Sequence, residues 1–505
     1  MASEEDALVL AARAAELVTW ADSIAPLVFI ARTKDELMLD WDQARALDAQ
    51  PTAIAAALMI TALTIHTTPQ DSLHGQLSDA LAYSKTVSDA IETYIVNDDF
   101  IAGSLEGIEV CLLFQRLHFA YARFQKVWLS LRRTIGLAEI IGLPRASFDS
   151  SARGPGKSGC TRNGQTREEA GALLWQSACT MGKLAGCMFG LPITARIDPI
   201  PIDRPVFVGT HLVAQAYFCR LADIARKIPA LDDLYTKGRP SLQVYNMVSN
   251  IDQEFRELVS LAPSPWWNAP PHPEAITLDL VLQYFHQYFT ARAHLLLALN
   301  TDGNNIDAYS YMICTEACRD LAVRYTILRP LVLGGFFPVK LFDVQALTAA
   351  IFLLHTCHRP GSSYRFAAAQ SPSSQDSIQR ILISMDSASQ GFAGQFTQEA
   401  ARTIRSLAAL LSNSFVTDSR YVDLRVPLLG KIHVRRQGSG SNPAQLLADG
   451  SAVPPQTCTD SNAAVSTALL HSNRTAYAIP AAANDTNGWG DGDLRGLAIP
   501  HQRRL

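Results

Sequence analysis

Nine cysteines and twelve histidines are the side chains of this 505-residue sequence best suited to metal or nucleophilic chemistry. Their spacing argues against both. The cysteines stand at 111, 160, 179, 187, 219, 314, 318, 357 and 458. Closed metal sites take ligands two to four residues apart, in more than one pair. Only Cys314 and Cys318 are that close, and no second pair completes the set, so buried core thiols are expected. His286 and His294, eight residues apart, fall near one helical face and are candidates to meet a ligand. Without adjacent carboxylates or a third histidine they read as core or groove residues. Asp98-Asp99 lacks the further spaced carboxylates of a diphosphate–metal site and reads as a helix-ending cap. Gly154-Pro155-Gly156-Lys157-Ser158 has half of a phosphate-loop pattern, but Ser151 stands where the first glycine is required and no strand precedes it. Cys357 and His358 are neighbours on a helix end and point apart, which excludes a nucleophile–base pair. Arg132-Arg133, Arg435-Arg436 and Arg503-Arg504 are too short for a nucleic-acid patch; the last two are weak aids to nuclear import. No catalytic, cofactor-binding or metal residue is assigned, no cofactor is expected, and the chain does not read as an enzyme.

The elements that would position such residues are helices. Trp128, Leu131, Ile135 and Ala138 recur at spacings of 3, 4 and 3, one face of a 3.6-residue period. That run stops at Gly142-Leu143-Pro144. Leu174, Ala178, Met181, Ala185 and Met188 repeat the pattern, and Gly190-Leu191-Pro192 repeats the stop. The stretch from Ser147 to Gln165, rich in Ser, Gly and Arg, reads as a loop between the two. Further helices are expected within Glu4 to Leu39, from Pro51 with Thr52 as cap, over Leu73 to Val96, Gly209 to Lys227 and Leu242 to Leu261. Ala262 through Pro273 reads as a proline-rich connection.

Composition supports a large core: 48% of residues are hydrophobic and 18% charged, with a net charge of −4 that attracts no phosphate backbone. The start is acidic where a secretory signal would be basic. The most apolar runs, Ala53 to Ile65 and Ala346 to Leu354, are shorter than the roughly 20 residues that span a bilayer and read as buried helices. From Gln437 onward Gly, Ser, Asn, Ala and Pro dominate without period, the composition of a disordered tail. Its Trp489 and Leu494 sit among acids, faintly like an activation segment.

Four ordered blocks resemble the fungal-specific transcription factor domain, the middle homology region of zinc-cluster regulators. SLEGIEVCLLFQRLHFAYARFQKVWLSLRRTIGLAEIIGLPR places Trp128, Ala138, Gly142, Leu143 and Arg145 on that pattern's anchor positions. LLWQSACTMGKLAGCMFGLPITARIDPIPIDRP places Trp175, Ser177, Gly190, Pro192 and Asp198. LVLQYFHQYFTARAHLLLALN is similar through Tyr284, Tyr288 and Leu295 to Leu297. LFDVQALTAAIFLLH is similar through Asp343, Gln345, Ala346, Thr348, Ala349, Leu353 and Leu354. YMICTEACRDLAVRYTILR and the strand-like LRVPLLGKIHV fall in register too. The chain departs from the family where Gly182-Lys183 replaces an Asp-Arg pair, Leu191 replaces an Arg, and Arg167-Glu168-Glu169 replaces a basic helix start.

The resemblance implies an all-α, multi-helix regulatory body over 50–436, with a helical lead-in over 1–49 and a disordered tail over 437–505. It implies a nuclear transcription regulator, serving nutrient use or a secondary-metabolite gene cluster, with pockets between its helices for a small-molecule effector or partner. Tyr284, Phe285, Tyr288 and Trp128 are candidates to line such a pocket; core filling is the competing role. The family's zinc cluster packs six cysteines into about 30 residues, because two metals share thiolates at short range. No such cluster stands in this sequence. DNA contact is therefore expected through a homo- or heterodimeric partner or a missing N-terminal module, and no membrane association is expected. A helical enzyme and a helical scaffold are the alternatives.

Overall fold

The computed structural model describes residues 4–68, 79–145, 166–192, 205–235, 241–268, 276–300, 305–332, 338–358, 373–390, 394–411, 421–426 and 430–435. The first group of elements is α1 (Glu4–Ile24), α2 (Lys34–Ala44), α3 (Pro51–Thr64), α4 (Ala80–Ile91), a π-helical turn over Glu92–Val96, α5 (Asp99–Ala102), α6 (Leu105–Ala120), α7 (Phe124–Ile140) and α8 (Arg167–Phe189). A minimal hairpin, β1 (Phe207–Val208) with β2 (His211–Leu212), leads into α9 (Ala214–Ala225) and α10 (Ile228–Tyr235). Then come α11 (Leu242–Ser260), α12 (Ser264–Asn268), α13 (Leu278–Ala298), α14 (Asn305–Leu331), α15 (Val339–His358), α16 (Ser374–Ala388) and α17 (Gly394–Leu411). The fold is all-α, as expected. The strand-like end is an antiparallel hairpin of β3 (Tyr421–Val426) and β4 (Gly430–Arg435), with Tyr421 opposite Arg435 and Val426 opposite Gly430.

Local chemistry sets the helix ends. The two Gly-Leu-Pro stops behave as the sequence requires: Gly142 (φ 85°) and Gly190 (φ 63°) take the left-handed conformation that other residues avoid. The departed helix start at Arg167 is held by a capping box, in which Thr166 accepts from the N–H of Glu169 and the Glu169 carboxylate accepts from the N–H of Thr166. Other boundaries differ from expectation. Gln50, not Thr52, occupies the N-cap of α3, and Pro51 enters the first turn, where its missing N–H costs nothing. Asp98 caps the start of α5, accepting from the N–H groups of Phe100 and Ile101, rather than ending α4. Residues 207–212 form a hairpin ahead of α9. The proline-rich connection holds the short helix α12.

Two apolar clusters fill the interior. One gathers α1 to α8; the other gathers α9 to α17, with Ile24 from the end of α1. α8 contributes to both, and Leu341 and Val344 of α15 with Phe396 of α17 reach into the first. By length and composition Val339–Cys357 is long and apolar enough to cross a membrane, longer than the run read from sequence, but 89% of it is buried within the protein. Its buried residues belong mostly to the second cluster. The loop read over Ser147 to Gln165, the partial phosphate loop, Asp198, Cys160, Cys458, Arg436, Arg503-Arg504 and the tail from Gln437 lie outside the described residues.

Candidate functional site

α15 carries charge into the core. Asp343 is fully buried, and its Oδ1 accepts from the Tyr325 hydroxyl at 2.7 Å and from Arg329 Nε at 2.8 Å, both on α14. Its Oδ2 accepts from the Thr397 hydroxyl of α17 at 2.6 Å and lies 3.6 Å from Lys340 Nζ. Lys340, also fully buried, donates to Thr397 at 3.1 Å. One carboxylate thus ties three helices. Burial works to raise the Asp343 carboxyl, but Arg329, Lys340 and the two hydroxyls outweigh it and hold it below the usual carboxylate range. Burial lowers Lys340 to about 8 against the pull of Asp343. One residue earlier, Phe342 O accepts from the Tyr284 hydroxyl of α13 at 2.8 Å. The network is a fixed post about which α13, α14 and α17 are set.

Two further polar clusters are anchored on α13. Arg292 of α13 makes a two-pronged pair with Asp232 of α10, at 2.6 and 3.1 Å; burial works against the guanidinium charge, and Asp232 more than restores it. His294 Nδ1 meets the Ser310 hydroxyl at 3.1 Å, and its Nε2 lies 3.3 Å from Asp252 Oδ1. The Asp252 carboxylate also accepts from Tyr309 at 2.9 Å and Arg256 at 2.7 Å. A serine, a histidine and an aspartate in line have the composition of a hydrolytic triad. Ser310 and His294 are 2% and 1% exposed, so no substrate carbonyl reaches the hydroxyl; the row ties α11, α13 and α14 together.

The sequence candidates disperse. His286 does not share a site with His294: its Nδ1 meets the Tyr217 hydroxyl at 2.9 Å inside a box of Phe255, Trp267 and Tyr217 rings. Burial pushes His286 down to about 3, so the imidazole is neutral at any physiological pH. Cys314 and Cys318 are buried, and Cys314 points at Ala291 O at 3.5 Å. Tyr284, Phe285 and Tyr288 are at most 4% exposed and pack within the second cluster, whereas Trp128 belongs to the first, against Phe189 at 6.3 Å. Cys357 is exposed. Lys183 regains an ion pair by reaching Asp223 of α9 at 2.5 Å, and Gly182 lies where α8 crosses α7, since a Cβ there would meet Ile135 Cδ1 at 3.1 Å. Arg167 at the altered helix start pairs with Glu106 at 2.7 Å. Among the described residues no group of three or more His, Cys, Asp or Glu side chains is arranged to hold a metal.

Sequence reasoning placed Asp343 only as a family position and Tyr284 as a family position and pocket candidate, and missed Arg329, Lys340 and Thr397. Apolar neighbours around a charged residue in mid-helix were the available signal, because charge enters a core only when paired.

What emerges is a packed helical body whose interior polar groups hold helices rather than reactants. No protein-family model matches the chain. Curated relatives do. The probable transcription factor gsfR1 of Penicillium aethiopicum is 20% identical over 422 residues, covering 78% of this chain and 58% of that protein. The dehydrocurvularin biosynthesis regulator of Alternaria cinerariae is 26% identical over 288 residues, covering 53% of this chain and 35% of that protein. Transcription factor sdnS of Sordaria araneosa is 22% identical over 280 residues, 54% of this chain and 35% of that protein. The chain thus spans between about a third and three fifths of the length of these relatives. It is a relative of fungal transcription regulators, and the expectation of a non-enzyme stands on all three names.

Proposed function

We propose that this chain is the regulatory body of a nuclear fungal transcription regulator that controls a secondary-metabolite gene cluster. The match covering 78% of the chain to a probable transcription factor carries the reading; the biosynthesis regulator among the relatives supports its metabolic side. In this role the helical body receives a small-molecule effector or a partner protein and favours one of two helix arrangements. A ligand shifts such an equilibrium only by its difference in affinity for the two states. DNA contact comes from a partner or from a zinc-cluster module joined to the same body.

The test is a fusion of the chain to an unrelated DNA-binding module, expressed in a fungal nucleus with a reporter downstream. Reporter output that changes with secondary-metabolite production supports the proposal. A folded, nuclear fusion that leaves the reporter flat under producing and non-producing conditions counts against it.

A further inference from the structure

Residues 25–32, between α1 and α2, run as neither helix nor strand. Ala25, Leu27, Val28, Ile30 and Ala31 are nonetheless at most 5% exposed. Backbone N–H groups buried in such a segment need acceptors that no helical or strand ladder provides. Side chains supply them. Asp22 Oδ1 accepts from the N–H of Leu27 at 3.1 Å. Glu109 of α6 accepts from the N–H of Val28, and both of its oxygens accept from the N–H of Phe29, at 3.2 and 3.0 Å. Arg116, two turns further along α6, donates to Ala25 O at 2.7 Å. Past this elbow the chain is fixed again by the capping box of Thr33 and Glu36. Glu109 is the tie in the middle.

The elbow also fixes the end of α1. Val18 and Ala21 pack in the first cluster, whereas Ile24 belongs to the second and Leu17 and Trp20 pack against it, with α1 beside α9. Ile24 directly precedes the elbow, so what holds the elbow holds α1 to α9. That tie can gain or lose a proton. Burial pushes Glu109 up to about 7; the N–H groups of Val28 and Phe29 and the charge of Arg116 restrain the rise, and Glu106 adds to it. Behind these groups Asp22 pairs with Arg32 at 3.0 Å, and Glu106 with Arg167 of α8 at 2.7 Å. Other helices on α6 bring charges that are already engaged: Lys126 of α7 with Glu92, Arg133 of α7 with Asp99 of α5, and Lys340 with Asp343 on α15. The α3 helix has no charged residue. An ionised Glu109 at 2% exposure is cut off from water. Lifting the elbow hydrates it, at the loss of its bonds to Val28 and Phe29.

We infer that the segment between α1 and α2 is a latch worked by the proton on Glu109. With the proton bound, the elbow is held against α6; with the proton lost, it lifts and takes the end of α1 away from α9. Lifted, Glu109 returns towards its ordinary 4.5, so between about 4.5 and 7 each lifting event releases a proton. Opening is therefore least in acid, grows as pH rises and levels off above about 7. The latch requires nothing of the regulatory role proposed above.

Native-state hydrogen exchange of the full chain, followed from about pH 5 to 8 and divided by the intrinsic exchange rate at each pH, tests it. The amides of Val28 and Phe29 should lose protection by about tenfold per pH unit between about 5 and 7 and then level off. Those of α9 should lose protection over the same range, while α13 and α14 keep theirs. Glu109→Gln has no proton to shed, so its elbow and α9 should hold one level of protection throughout. Asp22→Asn loosens the elbow at every pH but leaves Glu109 in place, so it should keep the slope; it tests the latch even where Glu109→Gln does not fold. A flat wild-type profile between about pH 5 and 7 overturns the inference, as does a slope that survives Glu109→Gln or vanishes in Asp22→Asn. An elbow that opens while α9 keeps its protection overturns it too, and so does a parallel loss in α13 and α14, the mark of global unfolding.

Discussion

At the scale of single residues, the strongest constraint is the carboxylate of Asp343. Replacing it by asparagine leaves Arg329 and Lys340 inside the core without their counter-charge. Breaking a buried pair from one side costs about 3–5 kcal/mol, and urea unfolding of Asp343→Asn should show a loss of that size. Glu109 makes a different, pH-dependent claim. It is 2% exposed on α6 and accepts from the N–H groups of Val28 and Phe29, pinning the α1–α2 connection, while Arg116 donates to Ala25 O at 2.7 Å. Burial pushes Glu109 up to about 7, with the two N–H groups and Arg116 restraining the rise. The folded carboxyl therefore keeps a proton that the unfolded chain releases near 4.5. Stability from this group is fully present below about 4.5 and is lost as pH rises through about 7. Glu109→Gln should flatten that part of the pH–stability curve measured by thermal unfolding. Neither residue's role was legible in the sequence. Lys340 is three positions before Asp343, within one helical turn, but Arg329, Tyr325 and Thr397 lie 14, 18 and 54 positions away, and Glu109 answers to backbone 80 residues upstream, distances no spacing rule reaches.

At the scale of elements, the same residue type carries opposite demands. Gly142 needs its positive φ and has open space around it, so Gly142→Ala should cost only the conformational penalty of about 1 kcal/mol. Gly107 has no positive φ, but a Cβ there would sit 2.0 Å from Ile101 O, where α5 turns into α6. That contact is impossible without moving backbone, so Gly107→Ala should destabilise by several times as much; paired chemical-denaturation curves decide the order. Only the first of these was readable beforehand, because a Gly-Leu-Pro stop has a sequence signature and the tight turn from α5 into α6 has none. The same division explains the boundary errors. Apolar periodicity located α7, α8 and α11 closely, whereas the direction in which Asp98 caps depends on α5, a single turn too short to have a period.

At the scale of the molecule, composition foretold a large apolar interior but not its partition into two clusters. The seam is made by α8, which packs into both, and by residues of α15 and α17 that cross from the second cluster into the first. Phe396 is the α17 residue that joins the first cluster: it sits 5.7 Å from Phe124 of α7 and next to Thr397, whose hydroxyl belongs to the Asp343 network. Truncating a buried phenylalanine costs about 3–5 kcal/mol. Here that loss falls on the coupling between halves more than on either one, since each cluster keeps its own helices. Phe396→Ala should therefore open α2 to α7 at lower free energy than α13 to α15, seen as faster native-state hydrogen exchange in the first set at unchanged protection in the second. Equal loss of protection in both sets would mean that the two clusters unfold as one unit and that the seam is no weaker than the cores it joins.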